Sequence, residues 1–268
     1  MNFLSYIGRR SNTNFAPLGS ALLKKQRFYK KVDILRDDSE SKPMFKVTLD
    51  GRVLKTQGGK QLKVDSEPLA LAIAEEWAGQ TQNLEIASMR LTGLAFTATD
   101  NPLKCTPASI ASKLLEYVES DTVLYHNEES RSLHDAQVKH WNPLIENTNK
   151  ELGTVLKPTG NIFGPEISAE DKAKFERWIL SLNEWSLHGL QYATETAKSL
   201  IIAFNVLNWK ITADEAIELA TLERRVQSKI WGAVEWHHGL EDEELLSRLS
   251  AACLFVYLNS NNSFDKPL

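Results

Sequence analysis

The chain has 268 residues, of which 42% are hydrophobic, and a formal net charge of −4 at pH 7. This length and composition are typical of a globular protein with one large domain or two small ones. Two cysteines, Cys105 and Cys253, are too few and too far apart in sequence for a disulfide framework or a zinc site. No segment is apolar and long enough to span a bilayer, so we expect no membrane insertion.

Basic residues are concentrated at the N-terminus. Residues 1–31 contain seven Lys or Arg and no acid, interspersed with apolar side chains, Ser and Asn. This composition is typical of a mitochondrial transit peptide, which we place at residues 1–29; a basic arm that contacts nucleic acid is the alternative. In residues 32–268 the remaining 24 basic residues face 35 acidic ones, a net charge of −11. Such an acidic mature protein is poorly suited to binding nucleic acid.

The pattern of residues 28–64 is that of β-strands. Asp50-Gly51 lies between two alternating runs, 44–49 and 52–56, which predicts a β-hairpin because both turn positions need a positive φ. Helices are predicted from Ser66, across 87–99 and from Thr106, followed by a short strand at 121–126 that rejoins the N-terminal sheet. These elements predict an α+β domain with a β-hairpin at residues 30–128.

Every long segment beyond Asn127 has helical periodicity. The expected helices are 130–152, with Pro143 inside it, one or two helices from 168 to 204, a long helix from 212 to 238, and a final one at 242–258. They predict an all-α domain at residues 129–268. The predicted fold class is therefore α+β, with a small β-containing N-terminal domain followed by a helical C-terminal domain.

One polar pair interrupts the apolar face of the helix expected at 216–238. At helical pitch Glu223 and Gln227 lie near the middle of that face, and Trp231 lies one turn further along the same row. An isolated buried charge costs several kcal/mol, so this carboxylate must be paired, protonated or presented to a partner. It belongs either to a hydrogen-bonded network that fixes helix packing or to a recognition or catalytic site; a break at Gly232 would change the register.

Motifs of catalysis and metal binding are missing from the sequence. It contains no Gly-x-Gly-x-x-Gly, Gly-x-Ser-x-Gly, Cys-x-x-Cys or His-Glu-x-x-His. His237 and His238 are adjacent and would point about 100° apart on a helix, which makes a shared metal ion difficult. We therefore predict no catalytic residue, metal or cofactor. The seven tryptophans favour a protein-binding surface, because Trp dominates protein–protein hot spots.

From Arg27 to about Tyr257 the chain resembles the mitochondrial F1-ATPase assembly chaperone family, which attends the α subunit of F1. The matching segments, in order, are Arg27-Phe28-Tyr29-Lys30, Val64-Asp65-Ser66-Glu67, Ala74-Glu75-Glu76-Trp77, Met89-Arg90-Leu91-Thr92, Asp100-Asn101-Pro102, Asp121-Thr122 with Tyr125, Gln137 with Trp141 and Pro143, Leu222-Glu223 with Gln227, Trp231-Gly232, Glu235-Trp236 and His238. Their order and spacing make the resemblance specific. The chain departs from the family pattern at Arg224, Gly239 and Asn142, where acidic residues are common.

The resemblance implies an ATP-independent chaperone of the mitochondrial matrix that binds unassembled F1 α subunit until the β subunit displaces it. It implies no nucleotide and no catalytic step, and we expect a monomer. The residues expected to bind the partner are Glu223, Gln227, Trp231, Glu235, Trp236 and His238, and those expected to be structural are Trp77, Trp141, Gln137 and Asp121. Two alternatives remain open: a small-molecule enzyme with an interdomain pocket that uses Glu223 as acid or base, and a subunit that stays in the final complex.

Overall fold

An antiparallel three-stranded sheet forms the N-terminal part of the computed structural model, which describes residues 26–39, 41–161, 163–232 and 237–260. The strands β1 (Val32–Asp37), β2 (Met44–Leu49) and β3 (Arg52–Val53) lie in the order β1-β2-β3. The predicted hairpin is confirmed: Asp50 and Gly51 have φ values of 48° and 77°, the positive pair that a tight two-residue turn needs.

The first helix packs on this sheet and caps the second helix. Helix α1 (Glu67–Ala78) begins at Ser66, whose hydroxyl accepts a hydrogen bond from Leu69 N. Helix α2 (Arg90–Asp100) has no capping side chain of its own at Met89. The Glu76 carboxylate of α1 instead accepts bonds from Leu91 N at 2.8 Å and Thr92 N at 2.7 Å. Glu76 therefore satisfies the free N–H groups of α2 and fixes the angle between the two helices.

The rest of the described chain is helical, as predicted. The helices are α3 (Pro107–Glu119), α4 (Arg131–Leu152), α5 (Ala169–Ser181), α6 (Glu184–Ala197), α7 (Leu200–Leu207), α8 (Ala213–Ala220), α9 (Leu222–Trp231) and α10 (His237–Asn259). Pro143 lies inside α4 without ending it. No helix in the described ranges is both long and apolar enough to cross a bilayer. The predicted fold class, α+β with a small β-containing N-terminal part, is confirmed.

Two local predictions were wrong. The helix expected at 216–238 is interrupted at Thr221, whose φ of −107° and ψ of 13° separate α8 from α9, and α9 ends at Gly232 with a φ of 91°. The strand expected at 121–126 is a short 3-10 turn, Thr122–Leu124, and Tyr125 then pairs with Thr159 and not with the N-terminal sheet. At the turn, Asp121 accepts from Val123 N and also from Ile201 N, a distant contact that the strand pattern does not contain. At Thr221 the hydroxyl donates locally to Ile217 O, which competes with continuation of the helix.

The buried apolar residues form two clusters. The smaller one joins the sheet, α1 and α2, and also takes in Phe255 from α10. The larger one joins α3 to α10 and includes Val123 and Leu124 of the 3-10 turn. The division into domains at residues 30–128 and 129–268 stays a prediction.

Residues 26–29, at the end of the predicted transit peptide, pack into the N-terminal cluster. Tyr29 is 4% exposed and its hydroxyl donates to Trp77 O at 2.7 Å. Arg27 N donates to Gln82 O at 3.0 Å, and the Arg27 side chain donates to backbone carbonyls, including Ala78 O at 3.2 Å. The first 25 residues of the predicted transit peptide lie outside the described residues.

Candidate functional site

Gln137 and Glu223 meet where α4 crosses α9. Gln137 lies on the buried row of α4 that also carries Leu133 and Trp141, and it is completely buried. Its Oε1 accepts from Asn127 N at 2.7 Å, and its Nε2 donates to Glu223 Oε1 at 2.8 Å. One buried amide therefore joins two helices and the segment that leads into α4. Glu223 is half-buried, and its Oε2 has no hydrogen-bond partner among the described residues.

A hydrogen bond from Trp141 holds α8, the helix before α9, against α4. Trp141, one turn after Gln137, is 1% exposed and its Nε1 donates to Leu219 O at 3.1 Å, near the end of α8. The His126 ring lies 6.1 Å from the Trp141 ring and 6.0 Å from the His134 ring. Burial lowers the pKa of His126, and the neighbouring His134 lowers it further. Both effects favour the neutral form of the His126 ring beside Trp141.

Charged residues fix the other side of α9. Arg224 pairs with Glu241 and Asp242 at the start of α10, and Arg225 pairs with Asp242 at 3.2 Å and with Glu218 of α8 at 3.3 Å. These partly exposed pairs contribute little singly, yet together they orient α9 on α8 and α10. The family that this chain resembles commonly has an acidic residue at the position of Arg224. In this chain Arg224 instead forms an ionic contact between helices.

The structure brings together only part of the predicted partner-binding set. Gln227 is exposed and not on the buried face, because α9 begins anew after Thr221 and turns Leu222 and Val226 towards the core. Trp231 is the last residue of α9, and His238 lies in the first turn of α10. Glu235 and Trp236 lie outside the described residues. Of the predicted set, Glu223 is therefore half-buried and Gln227 exposed, whereas Gln137 and Trp141, which were predicted to be structural, are buried where α4 meets α8 and α9.

The other two residues predicted to be structural lie away from Glu223. Trp77 is 7% exposed, in the N-terminal cluster. Asp121 is completely buried and accepts from Val123 N at 3.1 Å and from Ile201 N at 3.0 Å, so that it joins the 3-10 turn to the first turn of α7. Burial raises the pKa of Asp121 to about 6 in spite of these hydrogen bonds.

Sequence reasoning missed a large cavity in the N-terminal part. This N-terminal groove has a volume of about 1300 Å³ and is lined by residues between Phe28 and Pro102, including Trp77. Glu223 does not line it, so it is not the pocket of the enzyme alternative. The groove lies between the hairpin and α2, and no local signal predicts how far apart those two elements pack. Within the described ranges no three His, Cys, Asp or Glu side chains are grouped so as to hold a metal ion.

Comparisons with known proteins agree with this fold. A family model described as ATP12 chaperone protein matches residues 26–149. Protein atp12, mitochondrial, of Schizosaccharomyces pombe is 28% identical over 222 residues, which cover 78% of this chain and 75% of that protein. Protein ATP12, mitochondrial, of Saccharomyces cerevisiae is 27% identical over 274 residues, covering 87% and 84%. The crystal structure of Atp12 from Paracoccus denitrificans superposes with a TM-score of 0.79 at 28% identity, covering 88% of this chain and 99% of that one.

Proposed function

We propose that this chain is a member of the ATP12 chaperone family and acts as an ATP-independent chaperone for assembly of the F1 sector of ATP synthase. Its client is the unassembled F1 α subunit, and it acts in the mitochondrial matrix as a monomer. The observation that carries the proposal is the similarity to Atp12 proteins along nearly the whole described chain. Two of these proteins are named mitochondrial. The acidic charge of residues 32–268 supports a protein client over a nucleic acid.

Binding alone is sufficient for this function. An unassembled subunit of a ring exposes an interface of about 1,000 Å² or more, with an apolar centre that drives aggregation. A chaperone whose concentration exceeds the dissociation constant for its client keeps most of the client bound by mass action, without ATP. The β subunit then releases the client by competing for the same surface.

The Glu223 site has the geometry of a fixed recognition group. Gln137 holds one carboxylate oxygen of Glu223 and leaves the other without a partner among the described residues. The ion pairs of Arg224 hold α9 in place. Because the helix is held and Gln137 fixes the Glu223 side chain, that side chain loses little conformational entropy when it binds a client. We propose that Glu223, with the exposed Gln227 on the next turn, contacts the client. Trp231, Glu235, Trp236 and His238 are proposed as further client contacts because the family resemblance assigns them to the partner.

The experiment that tests the proposal is suppression of aggregation of dilute, separately refolded F1 α subunit by residues 26–268, without nucleotide. F1 β subunit serves as the parallel client. We expect protection of the α subunit alone, reversed when β subunit is added. Protection of neither client would overturn the proposed function. The protein should also be absent from purified ATP synthase, whereas a structural subunit would copurify in a fixed ratio.

A further inference from the structure

The N-terminal groove is built as an apolar trough between two walls. One wall is β3 with the residues that follow it to Gly58, and the other is α2. Tyr29, Trp77, Leu84 and Met89, all buried apolar residues of the N-terminal cluster, form the floor. With about 1300 Å³, the groove exceeds the volume of about 300–1,000 Å³ that is usual for a small-molecule site. Its size suits a segment of polypeptide.

The row of α2 residues that lines the groove has a glycine, and therefore no side chain, near its middle. Met89, Gly93, Thr97 and Asp100 line the groove at intervals of three or four residues, so they form one row along the helix. In the middle of this row Gly93 is exposed, and a Cβ added there would meet no atom within 4 Å. At the entrance Phe28 is 62% exposed and Ile86 is 59% exposed. An incoming apolar segment would thus meet apolar side chains and an open stretch of helix backbone.

Positively charged side chains outnumber negatively charged ones in the lining of the groove. Its two carboxylates are occupied internally: Asp50 accepts from Lys31 N at 2.8 Å, and Asp100 accepts from the Thr56 hydroxyl at 2.6 Å and from Gly58 N at 2.8 Å. Arg52 and Lys55 are exposed on the hairpin wall. Neither has an ion pair in the part of the chain that the structure describes. With Lys60, three cations and two carboxylates line the groove, and Arg52 and Lys55 are the exposed cations on its hairpin wall.

We propose that the N-terminal groove binds an apolar segment of the client chain that has acidic residues beside its apolar core. The inference rests on the proposed chaperone function and adds a second client contact, distinct from the Glu223 site. Apolar surface supplies the binding free energy, and Arg52 and Lys55 select acidic flanks by charge complementarity. The N-terminal segment 1–25 does not match this groove, because it carries four basic residues and no acid.

The direct test uses two synthetic peptides with the same Leu/Val/Ala core, one flanked by Glu and the other by Lys. Fluorescence anisotropy measures their binding to residues 26–268. We expect the Glu-flanked peptide to bind about tenfold or more tightly than its Lys-flanked twin, with a preference that weakens at high salt. The double variant Arg52→Glu, Lys55→Glu should reverse the preference. Equal binding of both peptides, or no binding of either, would overturn the inference.

Two further variants separate the groove from general charge effects. Lys42→Glu makes the same kind of charge reversal once, at an exposed residue of the N-terminal part outside the groove, and it should leave peptide binding unchanged. Gly93→Leu places a side chain in the open space of the α2 row and should weaken binding of the Glu-flanked peptide about tenfold. A leucine favours a helix more than a glycine does, so this variant should fold at least as well as the unchanged protein.

The same variants in the F1 α aggregation assay distinguish the two proposals. If the unchanged protein protects the α subunit and the Arg52, Lys55 double variant does not, the groove holds the client. If both protect equally, the groove inference fails while the proposed function stands. If the unchanged protein fails to protect, the proposed function fails, and the peptide result decides the groove by itself. A dimer in sedimentation velocity that the double variant dissociates would identify a second copy as the occupant and overturn the inference.

Discussion

The side-chain amide of Gln137 on α4 donates a hydrogen bond to the carboxylate of Glu223 on α9, with 2.8 Å between Nε2 and Oε1. The other end of the same amide accepts from Asn127 N at 2.7 Å. A completely buried glutamine with both ends paired is a rigid support, because loss of either bond would leave a buried polar group unsatisfied. One oxygen of the Glu223 carboxylate thus takes part in helix packing, and we propose that the other contacts the client. The sequence alone left these two roles as alternatives.

Glu223→Gln tests the recognition role. The substituted amide keeps an oxygen that accepts from Gln137, so we expect the free energy of unfolding to change by no more than about 1 kcal/mol. Capture of F1 α subunit should weaken, because the negative charge is lost. Thermal unfolding and the aggregation assay measure the two effects. Lower thermal stability with unchanged capture would show that Glu223 acts in packing only.

Gln137→Ala is the matched control for Glu223→Gln. It leaves Asn127 N and the inner oxygen of Glu223 without their partner, at a cost of about 1–3 kcal/mol for buried polar groups. It also leaves a cavity beside Trp141. The unfolding midpoint in denaturant should fall clearly below that of Glu223→Gln. Equal midpoints for the two variants would contradict the support role of Gln137.

Trp77→Arg should abolish stable folding of the N-terminal part. Trp77 is 7% exposed among Tyr29, Leu84 and the other residues of the N-terminal cluster, and an arginine there would bury an unpaired charge. We expect a loss of several kcal/mol and little soluble protein. Leu71→Arg is the control on the same helix, since Leu71 is 56% exposed. Normal soluble yield of Trp77→Arg would refute the importance of this burial.

Removal of residues 26–29 should destabilise the protein, although these residues were predicted to belong to the transit peptide. Tyr29 is 4% exposed, and its burial is worth about 2–3 kcal/mol. We therefore expect residues 30–268 to unfold several degrees below residues 26–268. Tyr29→Phe keeps the ring and loses only the bond to Trp77 O, so it should cost about 1 kcal/mol. Identical melting curves for the two truncated chains would contradict the prediction.

The buried carboxyl of Asp121 should make stability depend on pH. Burial raises its folded pKa to about 6, above the ordinary aspartate value of about 4. A raised pKa means that the folded state prefers the protonated form, so the contribution to stability is present below about pH 4 and is lost as the pH rises through 6. The loss amounts to about 3 kcal/mol between these limits.

Asp121→Asn isolates this contribution from other titrating groups, such as Asp100, whose pKa is lowered by the Thr56 hydroxyl and which acts in the opposite direction. In the variant an amide NH₂ replaces one carboxylate oxygen and faces one of the two N–H groups that bond to Asp121. The variant is therefore less stable than the unchanged protein. Urea unfolding from pH 4 to pH 7 should show that this destabilisation shrinks as the pH rises. A destabilisation that is constant over this range would show that Asp121 does not titrate there.

Several features that depend on neighbouring residues were predicted correctly from the sequence. The Asp50-Gly51 turn and the helix starts at Ser66, Thr106 and Ser168 are confirmed, because a positive-φ pair or a capping hydroxyl acts on backbone groups within three residues. The choice of Glu223 as a residue that needs a partner also came from local periodicity. Periodicity indicates which face is buried without identifying the residue opposite it.

The tertiary structure decided everything that joins distant residues. Gln137 and Glu223 are 86 positions apart, and Glu76 caps a helix that begins 14 positions later. The turn at Asp121 also depends on a distant residue, because its carboxylate accepts from Ile201 N, 80 positions away. The breaks at Thr221 and Gly232 have local features instead, a hydroxyl bonded to Ile217 O and a glycine with a φ of 91°. The N-terminal groove depends on the distance between the hairpin and α2, which is set by how side chains of two separate elements pack. Local sequence preferences contain no information about that distance, so only the folded chain determines it.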